Sequence, residues 1–214
     1  MTIRLEKLIP HPLMEQDTAG SEVWEAEAVT FQQGKRYLIQ APSGKGKTTL
    51  LSVIYGIRKD YNGGVYLDGA EISSLTYRQW SGIRKEGLSF IFQGLELFDD
   101  LTALENIQLK NSITSHKTHE EVTEMARIMG MDDFLHRKAG ILSFGQQQRV
   151  AIIRALCQPF KYLLADECFS HIDRENSLIA FQLICRECDR QHAGLLLTAL
   201  HEPEQMEVNV RMRL

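Results

Sequence analysis

The stretch "LIQAPSGKGKTTLL", residues 38–51, carries an apolar strand into a glycine-rich turn and then into a helix. Its pattern is G-x-x-x-x-G-K-[ST]. Ala41 takes the first place, Pro42, Ser43, Gly44 and Lys45 the variable ones, and Gly46, Lys47 and Thr48 complete it before Thr49. A loop of this kind holds phosphate because backbone N–H groups converge on an anion with a helix N-terminus behind them. Gly44 and Gly46 allow the curl without Cβ clashes. Lys47 reaches the β- and γ-phosphates of a nucleotide, and Thr48 offers its hydroxyl to Mg2+. Ala41 ends the strand ahead of the curl, where small size matters more than a positive φ, so the cradle is expected to be intact.

Two further stretches supply what a phosphate cradle alone lacks. "YLLADE" is an apolar strand that delivers two adjacent acids, Asp166 and Glu167. A carboxylate at the C-terminal edge of a strand holds Mg2+ directly or through its water, which is the role read for Asp166. Glu167 is placed to polarise a water that attacks a γ-phosphate. "ILSFGQQQRVAIIRAL", residues 141–156, opens a long amphipathic helix. Ser143 caps that helix, and Gly145 permits close approach of an anion to its positive end.

The rest of the chain alternates strand and helix. "IRLEKLI" and "VWEAEAVTF" alternate apolar and polar residues, which predicts strands over 3–9 and 23–31. "GGVYLDGAEI" predicts a strand ending in an Asp68-Gly69 turn. The segment 101–137 is mainly helical in pattern, with Val122, Met125, Ala126 and Met129 as a core-facing stripe. "KYLLADE" and "GLLLTALHE", with a helical segment between them, have the alternation of a parallel sheet with crossover helices.

Bulk properties exclude several classes. The net charge of −4 leaves no electrostatic footprint for nucleic acid. Apolar runs fall far short of the roughly 20 residues of a membrane span. "MTIRLEKLIPHP" has no apolar core of a secretion signal. The chain is therefore expected in the cytoplasm, and any membrane role requires a separate partner. Of the four cysteines, Cys185 and Cys188 form one C-x-x-C on a helix, while Cys157 and Cys168 stand apart. No His or Cys lies at zinc-finger spacing from that pair, so all four are read as reduced thiols.

Taken together and in order, these motifs resemble those of the ATP-binding cassette (ABC) family over essentially the whole chain. Leu142-Ser143-Phe144-Gly145-Gln146 resembles the family's signature motif. Gln93 in "FIFQG" matches its glutamine loop, Asp173 in "FSHID" its D-loop aspartate, and His201 in "LLLTALHEP" its switch histidine. Alone, Gln93 reads equally as a polar strand end, His201 as a loop histidine and Asp173 as a helix cap.

The resemblance implies an α/β P-loop NTPase cassette. It would have a mixed parallel core sheet, an N-terminal antiparallel β-subdomain and an inserted helical subdomain. Core and β-subdomain are expected over 1–95 and 143–214, the helical insert over 96–142. ATP and Mg2+ are the implied cofactors. The cradle from Ala41 to Thr49 would bind the nucleotide, with Thr48, Gln93 and Asp166 at the metal. Glu167, Gln93 and His201 would serve hydrolysis. Ser143, Gly145, Gln146 and Asp173 would serve nucleotide held by a partner chain in a head-to-tail homodimer or pseudo-symmetric dimer. A separate membrane permease would be the load, with the chain peripheral on the inner face of the membrane.

Three departures from the family pattern stand out. Phe144 replaces a glycine, Cys168-Phe169 replaces proline-threonine, and "LIPHPLM" offers His11 but no aromatic side chain to stack on adenine. Leu101, Thr102, Glu105 and Asn106 resemble the branch of lipoprotein release, macrolide export and cell division. That branch favours export or extraction. A soluble ABC ATPase of DNA repair or translation is the other class of reading. It is opposed by the short span between Gln93 and the signature, the single cassette and the acidic balance. A small-molecule kinase is opposed by the signature motif and the histidine.

Overall fold

The computed structural model describes residues 1–200 and 205–214. The strands are β1 (Thr2–Pro10), β2 (Ala28–Gln32), β3 (Arg36–Gln40), β4 (Tyr61–Leu67), β5 (Ala70–Glu71), β6 (Leu88–Ile91), β7 (Tyr162–Asp166), β8 (Gly194–Ala199) and β9 (Val210–Arg213). The helices are α1 (Lys47–Ile54), α2 (Tyr77–Glu86), α3 (Ala103–Thr114), α4 (His119–Ile128), α5 (Phe144–Leu156) and α6 (Arg174–Arg190). An antiparallel sheet has the order β2-β1-β4-β5 and a second sheet the order β6-β7-β8-β3-β9. Every pairing in the second sheet is parallel.

Sequence pattern explains most of these elements. β7 is buried at all five positions, as a central parallel strand covered on both faces must be. In β1 the alternation is interrupted by a register shift between Glu6 and Ile9, with Lys7 at φ 45°. The strand opposite accommodates the bulge only through Gly63, where a Cβ would meet the Lys7 carbonyl oxygen at 2.3 Å. Asp68 and Gly69 both take positive φ, as the turn reading requires.

One strand reading changes. The strand expected over 23–31 is present only from Ala28. Val23 and Trp24 lie in a turn in which Ser21 Oγ accepts from both of their amides, yet both side chains are buried. Their apolar character serves packing beneath the cradle, described below, and no sheet face. A further strand, β9, follows β8 and pairs in parallel with β3. Its alternating V-R-M-R leaves half of it facing outward, as suits an edge strand.

The parallel sheet divides the core in two. Tyr162, Leu164 and Leu196 face a cluster with Ile3, Phe31, Ile39, Leu50, Leu51 and Val65. Leu163, Ala165, Leu195 and Leu197 face the opposite cluster, which takes in α5, α6 and the apolar stripe of α4. Val122, Met125, Ala126 and Met129 are all buried there, so the stripe is core.

One buried ion pair joins the α3–α4 connection to α6. Lys117 Nζ lies 2.6 Å from Glu187 Oε2, with side-chain exposures of 4% and 1%. Asn111 holds the Lys117 backbone through both its amide and its carbonyl. Arg190 bridges Glu187 and Glu121 at the rim. Removing one member of such a pair leaves a buried charge, which costs more than replacing both by apolar groups. Lys117→Ala is expected to lower unfolding stability by about 3 kcal/mol in urea titration. Lys117→Met combined with Glu187→Leu is expected to recover most of that loss.

Candidate functional site

The cradle joins β3 to α1. Gly44 and Gly46 have φ of 82° and 93°, so both glycines are required by conformation. Ala41 is buried and is not among the residues with positive φ, which bears out the argument from size. The outer wall is supplied by the segment 11–24. A Cβ on Gly46 would come within 2.7 Å of Leu13 and 3.1 Å of the Trp24 ring. Trp24 Nε1 donates to the Lys45 carbonyl, and Lys45 Nζ donates to the Asp17 carbonyl. Leu13 and Trp24 escaped the sequence reading; the one signal was two apolar residues in a stretch too polar for a buried strand.

Lys47 is the centre of the site. Its Nζ donates to the carbonyls of Ala41 (2.6 Å) and Pro42 (3.0 Å) and lies 3.2 Å from Glu167 Oε1. Glu167 follows β7 in a left-handed conformation, φ 45°, which turns its side chain back over the cradle lysine. Thr48 Oγ1 donates to Gln93 Oε1 at 3.2 Å.

Asp166 is fully buried at the end of β7. Its Oδ1 accepts from Thr198 Oγ1 at 2.7 Å, and the same hydroxyl accepts from Glu167 N at 3.2 Å. Oδ2 has no hydrogen-bond partner among the described residues. Burial pushes the Asp166 carboxyl above the usual range, against the opposing pull of the Thr48 and Thr198 hydroxyls. Thr198 is a third residue that sequence reading missed. Its signal was a lone hydroxyl inside the apolar run "GLLLTAL".

The donor set suits a small, hard divalent cation. A hydroxyl, an amide carbonyl and a carboxylate with an orphaned oxygen are all oxygen ligands. Sites for softer metals are not apparent: among the described residues no three His, Cys, Asp or Glu side chains cluster at metal-binding distance. The cysteines are free and buried. Burial pushes the thiols up, Cys157 to about 12 and Cys185 to about 11, so they stay protonated at neutral pH.

The remaining site residues stand apart. Ser143 caps α5 in a reciprocal capping box, accepting from Gln146 N while Gln146 Oε1 accepts from Ser143 N. Gln146 is therefore engaged within its own chain. At Gly145 a Cβ would lie 2.7 Å from the His171 carbonyl oxygen, so the glycine first answers a close approach of this chain's own backbone. Asp173 caps α6, its carboxylate accepting from the backbone and side-chain amides of Asn176. Those bonds hold the Asp173 carboxyl below the usual carboxylate range. Among the described residues no hydrogen bond or ion pair links Ser143, Gly145, Gln146 or Asp173 to the cradle. His201 lies outside the described residues.

The residues that carried the branch resemblance have a local role. Thr102 and Glu105 form another capping box, at the start of α3. Asn106 is buried and bonds both the amide and the carbonyl of Phe98. Together they fix the loop that follows Gln93.

A glycine cradle at the head of a parallel sheet, with a strand-end carboxylate beside its lysine and threonine, defines a P-loop nucleotide hydrolase. The sequence pattern of the ABC transporter family matches residues 26–170, and the chain belongs to that family. It is 32% identical over 179 residues to the lipoprotein-releasing system ATP-binding protein LolD 1 of Chlorobium chlorochromatii, covering 82% of this chain and 72% of that one. It is 36% identical over 179 residues to the molybdate/tungstate import ATP-binding protein WtpC of Pyrococcus horikoshii, covering 82% of this chain but 49% of that one. Among solved structures, the dimeric bacterial ABC transporter cassette MJ0796 superposes with a TM-score of 0.78 at 25% identity, covering 99% of this chain and 94% of that one. The same cassette in a post-hydrolysis state bound to ADP and Pi gives a TM-score of 0.73 at 26% identity, covering 94% and 88%. The fold is that of an ABC cassette, and the protein binds and hydrolyses ATP.

Thr198→Val tests the support of the strand-end acids. It leaves Glu167 N without its acceptor and Asp166 Oδ1 without its donor. Turnover of ATP is expected to fall about tenfold. Nucleotide affinity at the cradle, read by equilibrium binding, is expected to stay within about threefold of the parent.

Proposed function

We propose that this chain is the ATP-hydrolysing subunit of an export- or extraction-type transporter. It pairs head to tail with a second cassette around Mg-ATP and drives a separate membrane permease. The observation that carries this reading is the division of the site. Lys47, Thr48, Gln93, Asp166 and Glu167 are in mutual reach, whereas the exposed Ser143 end of α5 has no bond to them. A helix N-terminus left open in this way suits a phosphate presented by another copy.

In this mechanism the arriving triphosphate takes over Lys47 from the Ala41 and Pro42 carbonyls and from Glu167. The cradle amides of residues 41–49 then hold the phosphates. Thr48, Gln93 and Asp166 would hold Mg2+, which neutralises charge on the β- and γ-phosphates. Glu167, released from Lys47, polarises the attacking water. His201 takes the switch position that its resemblance implies. Ser143 and the first amides of α5 face the partner's γ-phosphate, with Asp173 beside them. ATP thus holds the two copies together, and hydrolysis lets them part.

Residues 96–142 form the helical lobe in this reading, and 1–95 with 143–214 form the core. No helix among the described residues is long and apolar enough to cross a membrane, which supports a separate permease. Export is favoured by the Leu101, Thr102, Glu105 and Asn106 resemblance and by relatives named for lipoprotein release. The working place would be the cytoplasmic face of the membrane, peripheral to the permease.

The permease has a suitable seat. A groove of about 320 Å³ between α2 and α3 is lined by Tyr77, Trp80, Arg84, Lys110, Ile113 and Thr114. Tyr77 is 92% and Ile113 56% exposed, a rim left uncovered by the described residues. Arg84 lies over the Trp80 and Tyr55 rings and bonds backbone carbonyls. Lys110 has no carboxylate at ion-pair distance among the described residues. Burial, with Arg154 and Arg84 nearby, pushes its ammonium below its usual range. The docking segment is therefore apolar and supplies a carboxylate.

Three variants test the reading. Glu167→Gln is expected to retain ATP, form a stable dimer in Mg-ATP and lose at least about 100-fold in hydrolysis. Lys47→Ala is expected to weaken nucleotide binding itself. Hydrolysis by Glu167→Gln at the parent rate would remove Glu167 from its role. Lys110→Met is expected to raise the melting temperature of the isolated chain by about 2–4 °C while lowering the fraction recovered with membranes.

A further inference from the structure

Phe144 stands where the family pattern has glycine, and nothing in the hydrolytic scheme uses its side chain. Its ring meets the imidazole of His171 edge-on, with centroids 4.4 Å apart and planes at 66°. Phe144 is 45% exposed, so the ring is partly covered and partly open to water. His171 is itself ordered by its neighbours. Its Nδ1 is 2.8 Å from Ser170 Oγ, and its amide donates to Gln148 Oε1 at 3.1 Å. Gln148, 1% exposed and one turn further along α5, also donates through Nε2 to Ser170 Oγ at 3.2 Å. Gly145 lets the His171 carbonyl approach to a distance that any Cβ would close.

These contacts join two segments with separate duties. One is the first turn of α5, which carries Ser143. The other is the loop that ends in Asp173, the cap of α6. Within that loop Ser170 N donates to the Glu167 carbonyl and Ile172 N to the Phe169 carbonyl, and the Gln148 side chain ties its outer turn to α5. Gln148 and Gly145 fix the buried side of the junction, and the aromatic pair fixes the exposed side.

We propose that Phe144 and His171 are positioning residues, joined in an aromatic clasp that presents the Ser143 end of α5 and the Asp173 loop to the partner cassette as one preformed surface. This rests on the head-to-tail pairing proposed above. The clasp acts on pairing and leaves the cradle untouched. Its loss raises the cost of ordering two segments at the interface instead of one.

The test uses the full chain carrying Glu167→Gln in Mg-ATP, with dimerisation read by sedimentation velocity. Cradle affinity is read with a fluorescent ATP analogue at concentrations where the chain is monomeric, and folding by thermal melts. Phe144→Ala and His171→Ala are each expected to weaken dimerisation about 3- to 10-fold. The double variant is expected to be no weaker than the worse single one, because both remove the same contact. His171→Phe and Phe144→Tyr keep a ring at each place and are expected to stay within about twofold of the parent. Cradle affinity and melting temperature are expected to be unchanged in all of them. Additive losses, no loss, or an equal loss in the ring-retaining variants would overturn the clasp. A Glu167→Gln parent that stays monomeric in Mg-ATP would overturn the pairing itself, and the clasp's role with it.

Discussion

Burying the Asp166 carboxyl inside a parallel sheet carries a desolvation cost that only fixed polar neighbours offset. The surroundings of β7 are arranged to meet it. Thr198 on the adjacent strand donates to one oxygen and, through the same hydroxyl, holds the Glu167 amide. Glu167 in turn is drawn back onto Lys47 by a left-handed backbone. One oxygen of Asp166 is left unmatched, beside a threonine hydroxyl and a glutamine carbonyl. The chain thus keeps a high-energy acid in place and balances the rest of the site against it. Electrostatic preorganisation of this kind requires rigid support, which the fully covered strands β7 and β8 provide.

Legibility in the sequence followed the range of the interactions. The cradle, the strand-end acids and the capped signature helix are local patterns, each set within about 15 residues, and all could be read directly. Ala41 illustrates this: its tolerance followed from its place before the curl. Asp173 was legible as a cap, and a cap is its observed role within the chain. What stayed hidden depends on contacts between distant segments. Trp24 looked like part of a strand because its burial comes from Gly46, far along the chain. Thr198 lies within an apolar run, and Lys117 and Glu187 meet from segments 70 residues apart, so neither role has a local pattern. β9 was hidden because an edge strand of alternating arginine and apolar residues has the composition of a tail.

Local folding devices also account for residues that first suggested kinship. Thr102, Glu105 and Asn106 make the capping box and the buried amide that shape the loop after Gln93. The geometry of that loop sets the path of the chain between Gln93 and α3.

The place of β3 in the parallel sheet bears on how the protein is made. The strand that leads into the cradle lies between β8 and β9, both drawn from the last quarter of the chain. Glu22, in the segment that braces the cradle, donates its amide to the Arg213 carbonyl on β9 and accepts from the Arg213 amide through its carboxylate. During synthesis the lysine and its glycines emerge early, but their strand has neither lateral neighbour until residues 194–213 have been made as well. The phosphate site is therefore assembled late although it is translated early.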